Sequence, residues 1–282
     1  MARRAFALGL MLAAAGCPRG PAGPSATAAS AEAVQAALTE GDAAWPRRAE
    51  PAGLQAALSA WRRAARARPG EPAIELRLAR AEGFRARAAL LPAEAQAAHD
   101  ASSRAAERAL RSIAPRFAAA VEDGRPLAEA AALVEAPGAE PLYWLALGRM
   151  GVAQATGPAA VLAVKDHALA LMARAAALDE RLEAGGPLRA LGAWSAMLPV
   201  AAGGGVEAAR ARFARAAELF PDEPCRRIEE ARTLSVLLQD RAGFERLLGE
   251  VLAAPDAAER GPEQAVARRR ARELLDKRAR LF

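Results

Sequence analysis

Three stretches of this chain carry the same spaced set of side chains. Ala57, Trp61, Ala64 and Pro69 stand at successive offsets of four, three and five, and Ala209, Phe213, Ala216 and Pro221 repeat them. Ala168, Met172 and Ala175 repeat the first three, with Glu180 where the proline would fall. Positions i, i+4 and i+7 share one face of an α-helix. Small residues at the ends of the set let a neighbouring helix approach closely, while the bulky middle residue fills the groove between them. The proline stops the helix, because it lacks an N–H and its ring clashes with the preceding turn. A chain that repeats this pattern builds stacked helical hairpins.

Composition points the same way. Hydrophobic residues make up 53% of the chain but aromatics only 4%, and much of the remainder is alanine. Alanine is the best helix former and offers little area to bury. Stability must then come from many closely packed helices rather than from one aromatic core. Runs of β-branched residues with period-two alternation are almost lacking, so strands are not expected. Pro72, Pro126, Pro158 and Pro187 sit where proline suits a first helical turn, with Gly70, Gly124, Gly157 and Gly185 at or near the preceding helix ends. The punctuation predicts helices over 31–44 and 54–68, a long one over 93–121 and a short one over 126–134. Beyond Pro221 it predicts helices over 223–238, 242–253 and 262–280. The spaced sets resemble the second helix of the tetratricopeptide repeat, although the intervals between Trp61, Met172 and Phe213 are unequal. The expected fold is all-α, an irregular tetratricopeptide-like α-solenoid of about a dozen antiparallel helices.

The net charge of +6 is almost all arginine, since Lys165 and Lys277 are the only lysines. Arginines alternate with acids along helices, as in RRIEEAR (226–232) and RRRARELLDKR (268–278). That pattern reads as solvated helix faces. With no reading motif beside it, a nucleic-acid partner is not expected.

At the N-terminus, Arg3-Arg4 precede an apolar run from Ala5 to Ala13 that is too short to span a bilayer as a resident helix. Ala14-Ala15-Gly16-Cys17 follows, and it resembles the bacterial lipobox, in which the cysteine is acylated and becomes the first residue. The expected division is an export signal over 1–16, a lipidated flexible tether over 17–29 and a helical body over 30–282. The chain would be held in the cell envelope by lipid on Cys17. Pro18 rather than Asp follows that cysteine, so the periplasmic face of the outer membrane is the expected site in a Gram-negative cell. Cys225, the only other cysteine, would have no intrachain disulfide partner. It reads as a small packing residue, or as a thiol acidified by a helix dipole.

Signs of catalysis are missing. His99 and His167 have no second ligand nearby, and no HExxH, CxxC or phosphate-cradling loop occurs. The adjacent Glu229 and Glu230 would point about 100° apart on a helix. No enzyme activity, cofactor or metal is expected.

One family resemblance covers nearly all of the chain after Cys17. Gly41-Asp42 with Trp45 and Arg48 comes first, then Leu142-Tyr143-Trp144 with Gly148. Leu178-Asp179-Glu180 leads into Gly185-Gly186-Pro187-Leu188-Arg189, Leu191-Gly192, Pro199 and the Phe213 set. Phe244 with Leu247-Leu248, Ala271 with Leu274-Leu275, and Phe282 close the series. In this order they resemble the TatT family, lipoprotein T-components of TRAP-type tripartite transporters. The resemblance implies a homo-oligomer, a trimer in the family's characterised form. It also implies docking of a periplasmic substrate-binding protein and passage of a small, hydrophobic ligand. Tyr143, Trp144, Arg189 and Trp194 are the candidate binding residues, being large or charged and near the central turn; Tyr143 and Trp144 also read as aromatic anchors between helices. Arg189 falls on a first helical turn, where a cation opposes the helix dipole, and so calls for a partner carboxylate or an anionic ligand. The alternative role is a general envelope scaffold for protein–protein contacts.

Overall fold

The computed structural model describes residues 26–256 and 260–282, so the expected export signal and Cys17 lie outside the described residues. The helices are α1 (Ala26–Ala44), α2 (Pro51–Ala67), α3 (Pro72–Ala88), α4 (Pro92–Ile113), α5 (Pro115–Glu122), α6 (Leu127–Ala132) and α7 (Ala139–Thr156). They continue as α8 (Pro158–Leu178), α9 (Leu182–Met197), α10 (Val206–Leu219), α11 (Pro224–Glu230), α12 (Arg241–Ala253) and α13 (Gly261–Asp276). The described residues thus form thirteen α-helices and no strand, the all-α fold the repeats imply. None of these helices is long and apolar enough to cross a membrane.

Neighbours in sequence pack as hairpins: α1 on α2, α3 on α4, α7 on α8 and α9 on α10. The small-large-small members of the spaced sets lie on α2, α8 and α10, and none of these is more than 3% exposed, while Pro69 and Pro221 follow the helix ends. Two of the bulky residues, Trp61 and Phe213, are received by a glycine of the partner helix. A Cβ at Gly41 of α1 would stand 2.3 Å from the Trp61 indole nitrogen, and one at Gly192 of α9 would stand 3.1 Å from the Phe213 ring. Glycine on the first helix and an aromatic on the second therefore bring the two backbones close.

The stretch expected as one long helix over 93–121 is two helices. Ala114 leaves the helical region (φ −124°, ψ 75°) and Pro115 starts α5. Proline takes away an N–H and bars helical geometry from the residue before it. Helices α5 and α6 form an excursion that returns against α8, while α4 packs directly on α7.

Several arginines expected on solvated faces instead bridge helices. Arg108 of α4 donates to both oxygens of the buried Glu75 of α3 at 2.9 and 2.8 Å. Arg80 clasps Glu140 across α3 and α7. An interior made largely of alanine leaves room for long side chains to reach inward, and a buried carboxylate then needs a bonded counter-charge.

Beside a small group of Val34, Ala37, Ala64 and Ile74 where α1, α2 and α3 meet, two larger apolar clusters result. The larger runs from α1 to α10 and on to Leu234, and the smaller joins α11, α12 and α13 through Ile228, Phe244, Leu248 and Ala271. Phe282 seals the smaller cluster edge-on against Phe244, with ring centres 5.1 Å apart.

Candidate functional site

A cavity of about 500 Å³ lies where the two clusters meet. It is within the usual size of small-molecule sites, roughly 300–1,000 Å³. Its walls come from the end of α3 and start of α4, from α7 and α9, and from α11 and α13. Leu90, Leu91, Leu147, Trp194, Ile228 and Val266 make much of the wall apolar.

The double-glycine turn shapes one side. Glu183, Ala184 and Gly185 all adopt left-handed backbone (φ 50°, 53° and 75°), after which the chain re-enters the helix at Gly186. Left-handed geometry disfavours residues with a Cβ by about 1–2 kcal/mol each, so Glu183 and Ala184 need support. Arg189 supplies it by donating from Nη1 to the main-chain oxygens of Glu183 and Ala184 at 3.1 and 2.9 Å. The same nitrogen is 3.3 Å from Oε1 of Glu223, and both side chains are almost fully buried. Burial opposes the charge on Arg189, but Glu223, with Cys225, Tyr143 and Glu183, together more than offsets it and holds the guanidinium pKa above its ordinary value. Its carboxylate partner is thus within the chain. Glu223 also accepts from the backbone N–H of Cys225 at 3.1 Å and pairs with Arg260 at 3.2 Å.

Gly186 gives Tyr143 its place, since a Cβ there would stand 2.9 Å from the phenol oxygen. Tyr143, Arg189 and Trp194 therefore meet at one cavity. Trp144 does not line it. Its indole packs where Gly83 leaves room, its N–H donates to Glu140 at 3.1 Å, and its ring stands edge-on to Tyr143. Trp144 anchors α7 to α3.

The cavity also holds three residues that the sequence does not single out for binding. The Arg87 guanidinium lies 5.6 Å from the Trp144 ring and 6.0 Å from that of Phe84. His99 lies against α7, where a Cβ at Gly151 would be 2.4 Å from its ring, and its Nδ1 is buried with no hydrogen-bond partner. Burial, then Arg87 and Arg232, push the His99 pKa down to about 4. Cys225 faces the cavity from the first turn of α11, and burial followed by the Glu223 carboxylate pushes its thiol up to about 12. Burial and the nearby carboxylate thus oppose the acidification expected from the helix dipole.

The TRAP transporter T-component family model matches residues 54–282. The chain belongs to the TRAP transporter T-component family. Membership supports an accessory role in TRAP transport and association with a TRAP transport system. No curated protein matches the chain. The matched segment contains every wall residue of the cavity.

Gly41, Asp42, Trp45 and Arg48 precede the segment matched to this T-component family, and the structure shows what they do. Asp42 accepts from the Trp61 indole at 3.2 Å and from Arg77 at 2.9 and 3.1 Å. Trp45 lies 5.4 Å from Trp61 and 6.0 Å from Phe84, with the Arg48 guanidinium 4.6 Å from its own ring centre. Arg48 also lines a smaller cavity of about 260 Å³ with Glu263, and Arg87 lies in the wall of both cavities. Among the described residues no group of three or more His, Cys, Asp or Glu is placed to hold a metal.

Proposed function

We propose that this T-component is an exported lipoprotein, held by lipid on Cys17 at the periplasmic face of the outer membrane. There it docks the periplasmic substrate-binding protein of a TRAP-type transporter and passes a small, largely apolar ligand. It works as a homo-oligomer, by resemblance a trimer, and carries out no chemical step. The observation that carries this reading is the cavity of about 500 Å³ with its apolar wall. Leu90 and Leu91, 68% and 59% exposed, connect that wall to the surface at the α3–α4 turn. An exposed apolar pair at a cavity wall is a suitable contact for a partner that delivers or collects an apolar molecule.

The test is co-purification. The tagged full-length chain is extracted from membranes of cells that also produce the TRAP substrate-binding protein encoded with it. Recovery of a stable pair, and loss of membrane association in Cys17→Ala, are the expected results. A monomer that ignores the binding protein and returns envelope-assembly factors would replace this reading with that of a general scaffold.

A further inference from the structure

Resting on the reading that the chain docks a soluble substrate-binding protein, we propose that one edge of the helical stack is the docking surface. The edge is formed by the α3–α4 turn, the α7–α8 turn and the α9–α10 connection. It takes an apolar, charge-poor patch of that protein.

Helix directions bring these three connections together. Gln96, near the start of α4, donates to the Thr156 hydroxyl at the end of α7 at 3.2 Å. Gln154 reaches the Met197 sulfur at the end of α9 at 3.7 Å. The opposite edge holds the α2–α3 turn, where the Gly70 carbonyl accepts from Ser112 near the end of α4 at 3.0 Å. It also holds the beginning of α1, whose Val34 clusters with Ala64 and Ile74. Helix α3, 17 residues long, sets the two edges about 25 Å apart.

The first edge is apolar and almost free of charge. Residues 88–93, 150–164 and 190–206 contain no Asp, Glu, Lys or Arg, in a chain of which 26% is charged. Seven large hydrophobic side chains are exposed among the described residues, and five of them stand in these stretches. They are Leu90, Leu91, Leu162, Met197 and Val200, the last 79% exposed. Charge returns at the flanks, in Glu94, the Lys165–Asp166 pair and Glu207. On the cavity side it returns in Arg269, which donates to the Ala88 carbonyl, and in Arg270 and Lys277. An apolar centre inside a charged rim is the anatomy of a protein–protein contact.

The occupant follows from where the chain enters the fold. Helix α1 begins at Ala26, nine positions after Cys17, a reach of about 32 Å at most. Because α1 begins on the opposite edge, a lipid on Cys17 leaves the apolar edge facing away from the membrane, toward soluble proteins. The edge also borders the cavity, since Leu90, Leu91, Gln154 and Ala155 line its wall. A protein seated there would border a ligand held inside.

The experiment measures affinity between the detergent-extracted full-length chain and the purified substrate-binding protein encoded with it. Val200→Asp and Leu162→Asp should each weaken the pair about tenfold or more, because docking would desolvate an unpaired carboxylate. Arg68→Asp, exposed on the opposite edge, should stay within about twofold. Wild-type affinity should change by less than about threefold between 50 and 500 mM NaCl, since apolar contact is not screened. Wild-type binding that both edge variants retain, or a steep loss with salt, would overturn the edge and leave the docking reading intact. No binding by the wild type would remove the docking reading itself. Sedimentation should give the same oligomeric state for the wild type and Val200→Asp; a smaller variant would make the edge a contact between copies and overturn the proposal. So would co-sedimentation of Cys17→Ala with phosphatidylethanolamine–phosphatidylglycerol vesicles that is lost on adding Val200→Asp, which would make the edge a membrane contact.

Discussion

Arg48 and Glu263, 215 positions apart, are joined by three hydrogen bonds. Nε and Nη2 of Arg48 donate to Oε1 of Glu263 at 3.0 and 2.9 Å, and Nη2 also reaches Oε2 at 2.7 Å. This fork ties the connection after α1 to the first turn of α13, so the last helices are held against the first hairpin. Both side chains are about one-tenth exposed. Removing one partner leaves the other charged and largely dry. Arg48→Met or Glu263→Gln should each lower stability by about 1–3 kcal/mol, below the range for fully buried pairs because the fork borders the smaller cavity. The double variant should lose less than the sum of the two. Urea unfolding of the four proteins checks this, and strict additivity would mean that the pair does not act as a unit.

Glycine has opposite meanings at two helical positions. At Gly41 an added methyl would meet the Trp61 indole at 2.3 Å, whereas Gly249 of α12 has open space around its Cβ direction. Gly41→Ala should cost about 1–3 kcal/mol by overpacking. Gly249→Ala should raise stability by about 0.5–1 kcal/mol through helix propensity alone. Melting temperatures that move in the same direction for both would contradict the hairpin packing.

His99 should make stability fall in mild acid. The unfolded chain takes up a proton on this residue near pH 6.5, whereas the folded chain does so only near 4. Between those values unfolding binds a proton, so the contribution is complete above pH 6.5 and is lost as pH drops through about 4. The groups that act on it are Arg87 and Arg232, which disfavour its charge, and Glu229, which favours it. Burial is the largest cause. The total loss is roughly 3 kcal/mol. Denaturant titrations from pH 7 to 4 should show a steeper decline in the wild type than in His99→Gln.

Cys225 should resist alkylation in the folded protein. Its thiol is pushed up to about 12, so almost no thiolate is present at pH 7.5. In a Cys17→Ala background, iodoacetamide should label Cys225 at a rate set by unfolding and rapidly in 6 M urea. Fast labelling of the native protein would show that the wall opens or that Glu223 does not face the thiol.

The hairpins were legible because each writes its own signature locally. A small-large-small face and a helix stop lie within one turn-rich stretch, as at Ala57, Trp61, Ala64 and Pro69, and burial of that face follows from its period. Pro115 carried the same stop signal, but helix-favouring residues on both sides hid it. Arg189 was legible as an anomaly, a cation on a first helical turn; which carboxylate answers it was not, because Glu223 belongs to a different helix. The cavity itself was not legible beyond Tyr143, Arg189 and Trp194. Arg87 and His99 come from the two helices of one hairpin and Cys225 from a helix far along the chain, and each is an unremarkable residue in its own segment. Only the docking of the smaller cluster against the larger one puts them in one wall.

The cavity between those clusters must be a working ligand site if the T-component passes a ligand. The direct measurement is titration of the apolar fluorophore 1-N-phenylnaphthylamine into the wild type and into Leu147→Trp, a substitution that places a larger side chain in the cavity wall. The account predicts saturable binding of one probe per chain in the wild type. It predicts loss of that binding in Leu147→Trp, with the cooperative thermal transition retained. Saturable binding that Leu147→Trp leaves unchanged, or no saturable binding to the wild type, would contradict it.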